Sequence, residues 1–121
     1  MKIRQSAEDY LESILRLREE KGYARSIDIA VSLGITKPSV SVAMKRLREN
    51  GFISMDENNY ITLTEKGMEI AKRIYHRHKT LTKFFELMGV DRETAQDDAC
   101  KVEHVISEQS FEAIRKMTEK A

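Results

Sequence analysis

The sequence predicts a mainly α fold with a small β-hairpin: a winged helix-turn-helix followed by a helical domain. Three observations predict it. Apolar residues recur at helical spacing through most of the chain. Two of the helices so marked are separated by only a few residues, as in a helix-turn-helix. Immediately after them the pattern becomes strand-like on both sides of a polar tip.

The elements follow in order. Ser6 precedes AEDYLESILRLREEKG, where Tyr10, Leu11, Ile14, Leu15 and Leu17 form one apolar face. Ser6 is the expected N-cap, with Asp9 three residues on, and Gly22 the stop. SIDIAVSLG reads as a short helix from Ser26 to Leu33, closed by Gly34. ITKPSVSVAMKRLRENG restarts at once, with Thr36 as N-cap, Pro38 in the first turn and Gly51 as the end. FISMDENNYITLT is a hairpin, with Phe52, Ile53 and Met55 facing Tyr60, Ile61 and Leu63 across Asp56-Glu57-Asn58-Asn59. Thr64 then caps a long helix that ends at Gly89, Asp91 starts one running to Ile106, and a last helix follows Ser107.

Composition narrows the class. The 121 residues are 40% hydrophobic, which suits one globular chain or two small halves. Small halves bury little surface each, which favours a second copy. No apolar run approaches the ~20 residues of a membrane span. MKIRQSAEDY lacks the apolar centre of a signal peptide, and one cysteine cannot form an internal disulfide, so the expected location is cytoplasmic. The net charge of +1 rules out a uniformly basic nucleic-acid binder. A local patch remains: Lys37, Lys45, Arg46 and Arg48 against Glu49 give residues 36–50 a charge of +3.

That patch lies on the second helix of the helix-turn-helix, the one that can enter a major groove. Lys37, Pro38, Ser39 and Ser41 fall in its first turns, where base edges and phosphates are reached. Val40, Met44 and Leu47 repeat at core spacing. Lys45, Arg46 and Arg48 are phosphate contacts, with Arg25 as a helper. A solvated charged helix would carry the same residues; the order of elements and the hairpin favour double-stranded DNA.

ACKVEHV holds the only cysteine, with Glu103 and His104 three and four residues later. On a helix of about 3.6 residues per turn, Cys100, Glu103 and His104 share one side. They sit beside the apolar stripe Ala95, Ala99, Val102 and Ile106, at the edge of the core. Thiolate, carboxylate and imidazole all ligate transition metals. Asp9 and Glu12, one turn apart on the first helix, and His78 on the long helix are candidates to complete the set. His76, about 200° round the helix, points elsewhere. Each residue also has an ordinary role. Glu12 can pair with Arg16, a lone Cys is commonly a small core residue, and Glu103 and His104 can be solvated.

DDACKVEHVIS resembles the metal-binding helix of the diphtheria-toxin-repressor family, the DtxR/MntR group of metal-dependent transcriptional repressors. AEDYLESI resembles the family's first helix, EEKGYARSIDIA and TKPSVSVAMKRL its helix-turn-helix, YITLTEKG its wing exit and RHKTLTKFFELMGVD its linker helix. The resemblance implies a DNA-binding domain over residues 1–72 and a helical dimerisation and metal-binding domain over 73–121. It implies a homodimer that represses transcription at an operator when a divalent ion, Mn2+ or Fe2+, is bound. Asp9, Glu12, His78, Cys100, Glu103 and His104 match the ligand positions. Asp9 is the manganese-type residue and Cys100 the iron-type one, and a thiolate also suits Zn2+ or Co2+. Thr82 and Gln96 stand where iron-type members carry an acid and a histidine of a second site. With the sequence ending at Ala121, the expectation is a protein without the SH3-like third domain of larger members.

Two alternatives stand beside this reading. One is a winged-helix regulator that senses an oxidant or small molecule through Cys100. The other is a small metallohydrolase, disfavoured because H-E-x-x-H, a nucleophile elbow and a Gly-rich phosphate loop are all missing. The expectation is a protein that is not an enzyme.

Overall fold

The computed structural model describes residues 5–121. The first four residues, part of the stretch read above as lacking a signal peptide, lie outside them. The element order is α1 (Gln5–Lys21), α2 (Ser26–Leu33), α3 (Lys37–Glu49), β1 (Ile53–Met55), β2 (Ile61–Leu63), α4 (Glu65–Leu87), α5 (Arg92–Val102) and α6 (Glu108–Lys120). The chain divides into two compact units, Met1–Lys72 and Arg73–Ala121, and α4 contributes residues to both. Among the described residues no single helix is long and apolar enough to cross a membrane.

The first unit is built around the apolar faces of its helices. Leu11, Ile14, Leu15 and Leu17 of α1, Ile29 and Ala30 of α2, and Val40, Met44 and Leu47 of α3 are buried with Phe52, Ile53 and Ile61 of the hairpin. Gly34, at φ 66°, closes α2, and the chain turns by 118° into α3. Thr36 caps α3 by accepting the Ser39 N–H, with Pro38 in the first turn where no helical donor is needed. The expected cap of α1 is corrected. Ser6 lies inside the helix, which already includes Gln5, so Asp9 falls beyond the described first turn.

The hairpin pairs Ile53 with Leu63, Ser54 with Thr62 and Met55 with Ile61. Its tip is set by Asp56, whose carboxylate accepts the N–H groups of Asn58 (2.8 Å) and Tyr60 (3.0 Å). Asn59 takes the left-handed conformation there, at φ 64°. Two strands of three residues would be marginal alone. The free side of β2 is tied to α1 and the α1–α2 connection instead: the Ile61 N–H donates to the Ala24 carbonyl at 2.8 Å, and Arg18 donates to the Ile61 carbonyl at 3.0 Å.

The second unit packs α4, α5 and α6 around Leu81, Ala99 and Phe111, with Phe85, Val102, Ile106 and Ile114 against them. Asp91 caps α5 by accepting the Thr94 N–H, and Ser107 caps α6 by accepting the Ser110 N–H. The Thr94 hydrogen bonds hold the Asp91 carboxyl below the usual carboxylate range.

The helix expected to run to Ile106 stops at Val102. Arg77 of α4 supplies the reason. Its guanidinium donates to the carbonyls of Glu103 (3.1 Å) and Ile106 (2.9 Å). A continuing helix would need the Glu103 carbonyl for the Ser107 N–H, and α6 instead begins with Ser107 as its cap. Val102, Val105 and Ile106 are β-branched and resist the extension weakly as well.

Candidate metal centre and nucleic-acid interface

The early end of α5 changes how the donors are displayed. Glu103 is the C-cap residue, and His104 lies in the turn that follows. Neither is solvated. Glu103 is 0% exposed, and the His104 side chain 2% exposed. Cys100, expected at the core edge, is exposed on the last turn of α5.

Glu103 is the centre of this group. His78 Nδ1 lies 2.9 Å from its Oε2, and His104 Nε2 lies 3.4 Å from its Oε1. The Cys100 sulfur is within 4.8 Å of a Glu103 oxygen. A fully buried carboxylate is costly unless it is paired or ligating. Here two imidazoles and a thiol surround it. This mixed N, O, S donor set suits a divalent transition ion. His78 is buried and His76 exposed, as their spacing predicts.

The remaining candidates, Asp9 and Glu12, stand one turn apart on α1 in the first unit. Glu12 is buried and lies 3.9 Å from the Arg16 guanidinium, the pairing expected at i+4. Sequence reasoning missed Arg77. The signal for it was its place on the buried stripe of α4, with Ile74, His78, Leu81 and Thr82.

The helix-turn-helix surface is exposed. Lys37, Pro38, Ser39, Ser41, Lys45 and Arg46 of α3 all face solvent, while Val40, Met44 and Leu47 are buried behind them. Ser39 also takes part in the cap, with its hydroxyl 2.8 Å from that of Thr36. Arg48 leans back on the hairpin, with Nη1 3.7 Å from the Met55 sulfur. Arg25 is exposed, its guanidinium 5.2 Å from the centre of the Tyr60 ring, which meets Tyr23 edge-on at 5.7 Å. The sequence reading did not single out this aromatic pair, which steadies the tip end of the hairpin beside Arg25.

A helix-turn-helix with a two-stranded wing, joined in one chain to a helical unit bearing this donor set, defines a class: metal-responsive winged-helix DNA-binding proteins. Sequence comparison gives the family. Residues 2–59 match the domain described as iron dependent repressor, N-terminal DNA binding domain, and residues 64–121 match iron dependent repressor, metal binding and dimerisation domain. The chain belongs to this family of metal-dependent transcriptional repressors, which are not enzymes.

Among similar proteins, the HTH-type transcriptional regulator MntR of Bacillus pumilus is 39% identical over 109 residues, covering 90% of this chain and 76% of the relative. An uncharacterised HTH-type transcriptional regulator of Methanocaldococcus jannaschii is 39% identical over 118 residues, covering 96% and 94%. The crystal structure of T. acidophilum IdeR superposes with a TM-score of 0.82 at 26% identity, over 97% of this chain and 55% of that one. A manganese-dependent transcriptional repressor solved in complex with manganese gives 0.83 at 25% identity, over 93% and 52%. The chain thus spans about half the length of these two solved relatives.

Proposed function

We propose that this protein is a homodimeric repressor that binds its operator when loaded with Mn2+ or Fe2+, and that Asp9, Glu12, His78, Cys100, Glu103 and His104 are the ligands. The observation that carries the reading is the buried Glu103 carboxylate, with His78, Cys100 and His104 around it. In this reading residues 1–72 are the DNA-binding domain and residues 73–121 hold the metal and the second copy. The protein acts in the cytoplasm, where its operator is reached.

The ion supplies a shared positive centre for donors that belong to both domains. Asp9 and Glu12 bring in the DNA-binding domain through α1, and His78, Cys100, Glu103 and His104 bring in the other. Ligation by residues of both domains would tie them together and order the dimer. The two α3 helices then meet successive major grooves, ~34 Å apart. Lys37, Pro38, Ser39 and Ser41 face the bases and nearby phosphates, and Arg25, Lys45 and Arg46 the backbone. A hard carboxylate at Asp9 with a thiolate at Cys100 leaves Mn2+ and Fe2+ as the leading ions, with Zn2+ or Co2+ also accommodated.

The test titrates chelator-stripped protein with Mn2+, anaerobic Fe2+ and Zn2+ while following binding to a duplex selected from a random pool. Coupling of about 1–3 kcal/mol corresponds to a rise in DNA affinity of roughly 5–150-fold. Glu103→Ala should abolish that rise while leaving the helical content intact. Equal DNA affinity with and without every ion would overturn the metal switch. A response of that protein to peroxide would then assign sensing to the exposed Cys100.

A further inference from the structure

Glu103 is the C-cap of α5, bonded to the helix through its N–H to the Ala99 carbonyl, and His104 lies in the turn beyond it, so α5 holds this turn from one side only. A second support matters, because a ligand pair on a loose turn would be ordered only at the expense of metal affinity. Arg77 supplies it from α4, by bonding the backbone of that turn. Its side chain is 6% exposed, and Nη1 reaches the Glu103 carbonyl at 3.1 Å and the Ile106 carbonyl at 2.9 Å. Nη2 is 2.8 Å from the Glu108 carboxylate at the start of α6, and the guanidinium lies 5.2 Å from the centre of the Phe111 ring. A single planar cation thus touches both ends of residues 103–106, the first turn of α6 and the core.

We infer that Arg77 is a positioning residue for metal binding, holding the 103–106 turn so that Glu103 and His104 present their donors together. This rests on the ligand assignment proposed above. The neighbouring residue sharpens the argument. His78 holds the Glu103 carboxylate at 2.9 Å, while Arg77 holds the Glu103 backbone. Metal ligation would draw on the same His78 ring and Glu103 carboxylate that make this hydrogen bond. The Arg77 contacts use carbonyls, not ligand atoms, and persist. Arg77 therefore keeps the turn docked on α4 in both states.

Arginine is the residue that does this. Its fork spans two carbonyls and a carboxylate at fixed angles, whereas a lysine is a point donor on a flexible stem. The Glu108 contact is the dispensable one, because that carboxylate is 70% exposed.

The experiment compares Arg77→Lys, Arg77→Met and Glu108→Ala with wild type in the full-length protein. Amide hydrogen exchange of residues 103–106 is read without added metal, and Mn2+ affinity by a binding isotherm. Helical content and melting temperature are recorded alongside. The expected result for both Arg77 variants is faster exchange confined to the turn and an affinity for Mn2+ lower by about 10–100-fold, as is usual when a ligand's supporting contact is removed. Helical content should be kept, Arg77→Lys should be the milder of the two, and Glu108→Ala should match wild type. Wild-type exchange at the turn in both Arg77 variants would overturn the inference, as would wild-type affinity with a loosened turn. If Arg77→Met does not fold, Arg77→Lys alone decides. Failure of the ligand assignment is separately visible: Glu103→Ala would then bind Mn2+ as wild type does, whatever the exchange data say.

Discussion

Gly67 joins the wing to α4 by lacking a methyl group. A Cβ at this position would overlap the carbonyl oxygen of Phe52, which accepts the Thr64 N–H at 3.1 Å. Thr64 completes the junction, donating to the Gly51 carbonyl at 2.6 Å and accepting the Gly67 N–H at 3.2 Å. Helix propensity alone says that Gly67→Ala in the first turns of α4 should stabilise, by up to about 1 kcal/mol. The overlap is with backbone that cannot swing aside, so the opposite sign is expected here. Gly67→Ala should destabilise by about 1–3 kcal/mol, measured by urea unfolding. A gain in stability would show that the wing can shift away from α4.

At the scale of an element, α3 shows how one helix serves core and ligand at once. Burying Val40, Met44 and Leu47 contributes about 1.5–3 kcal/mol each. The polar side has two structural contacts, the Thr36–Ser39 cap and the lean of Arg48 on Met55, and neither involves Lys37 or Arg46 side chains. Lys37→Ala and Arg46→Ala should therefore fold as wild type and bind metal unchanged. Each should weaken DNA binding and lower the magnitude of the salt slope by about 1 if it contacts one phosphate. Unchanged affinity and slope in both variants would move the interface elsewhere. This helix was legible because Thr36, Pro38, the apolar spacing and Gly51 all agree. The end of α5 was not. Its boundary depends on Arg77, twenty-five residues or more away in sequence from the carbonyls it bonds. The helical period of Cys100, Glu103 and His104 picked out donors that the structure also groups, yet it placed Cys100 at the core edge, where it is exposed, and missed the turn that carries His104. Ser6 failed as a cap for a simpler reason: the helix had already begun.

At the scale of the whole molecule, two small units share one chain, and neither has a large core. If donors from both units take one ion, metal becomes part of the stability of the chain. At a free Mn2+ concentration of 100 times its dissociation constant, linkage adds about 2.7 kcal/mol. That should raise the melting temperature by roughly 10 °C and merge the unfolding into one sharper transition in calorimetry. Asp9→Ala, on α1, should remove most of the shift although it lies far in sequence from Glu103. A shift of full size in Asp9→Ala would confine the ion to the second unit.

The bonds that Ala24 and Arg18 make to Ile61 have one more consequence. A strand edge with free N–H and C=O groups is a template on which another chain can add a strand. At β2 both backbone groups of Ile61, its first residue, are already taken. The other edge, β1, is only three residues long and ends at Met55. The wing can thus project toward a nucleic acid, with Ser54 and Thr62 sharing a hydrogen bond at 2.7 Å on its outer face, without inviting sheet extension between crowded copies. Resistance to edge-to-edge aggregation is built into the same bonds that hold the hairpin upright.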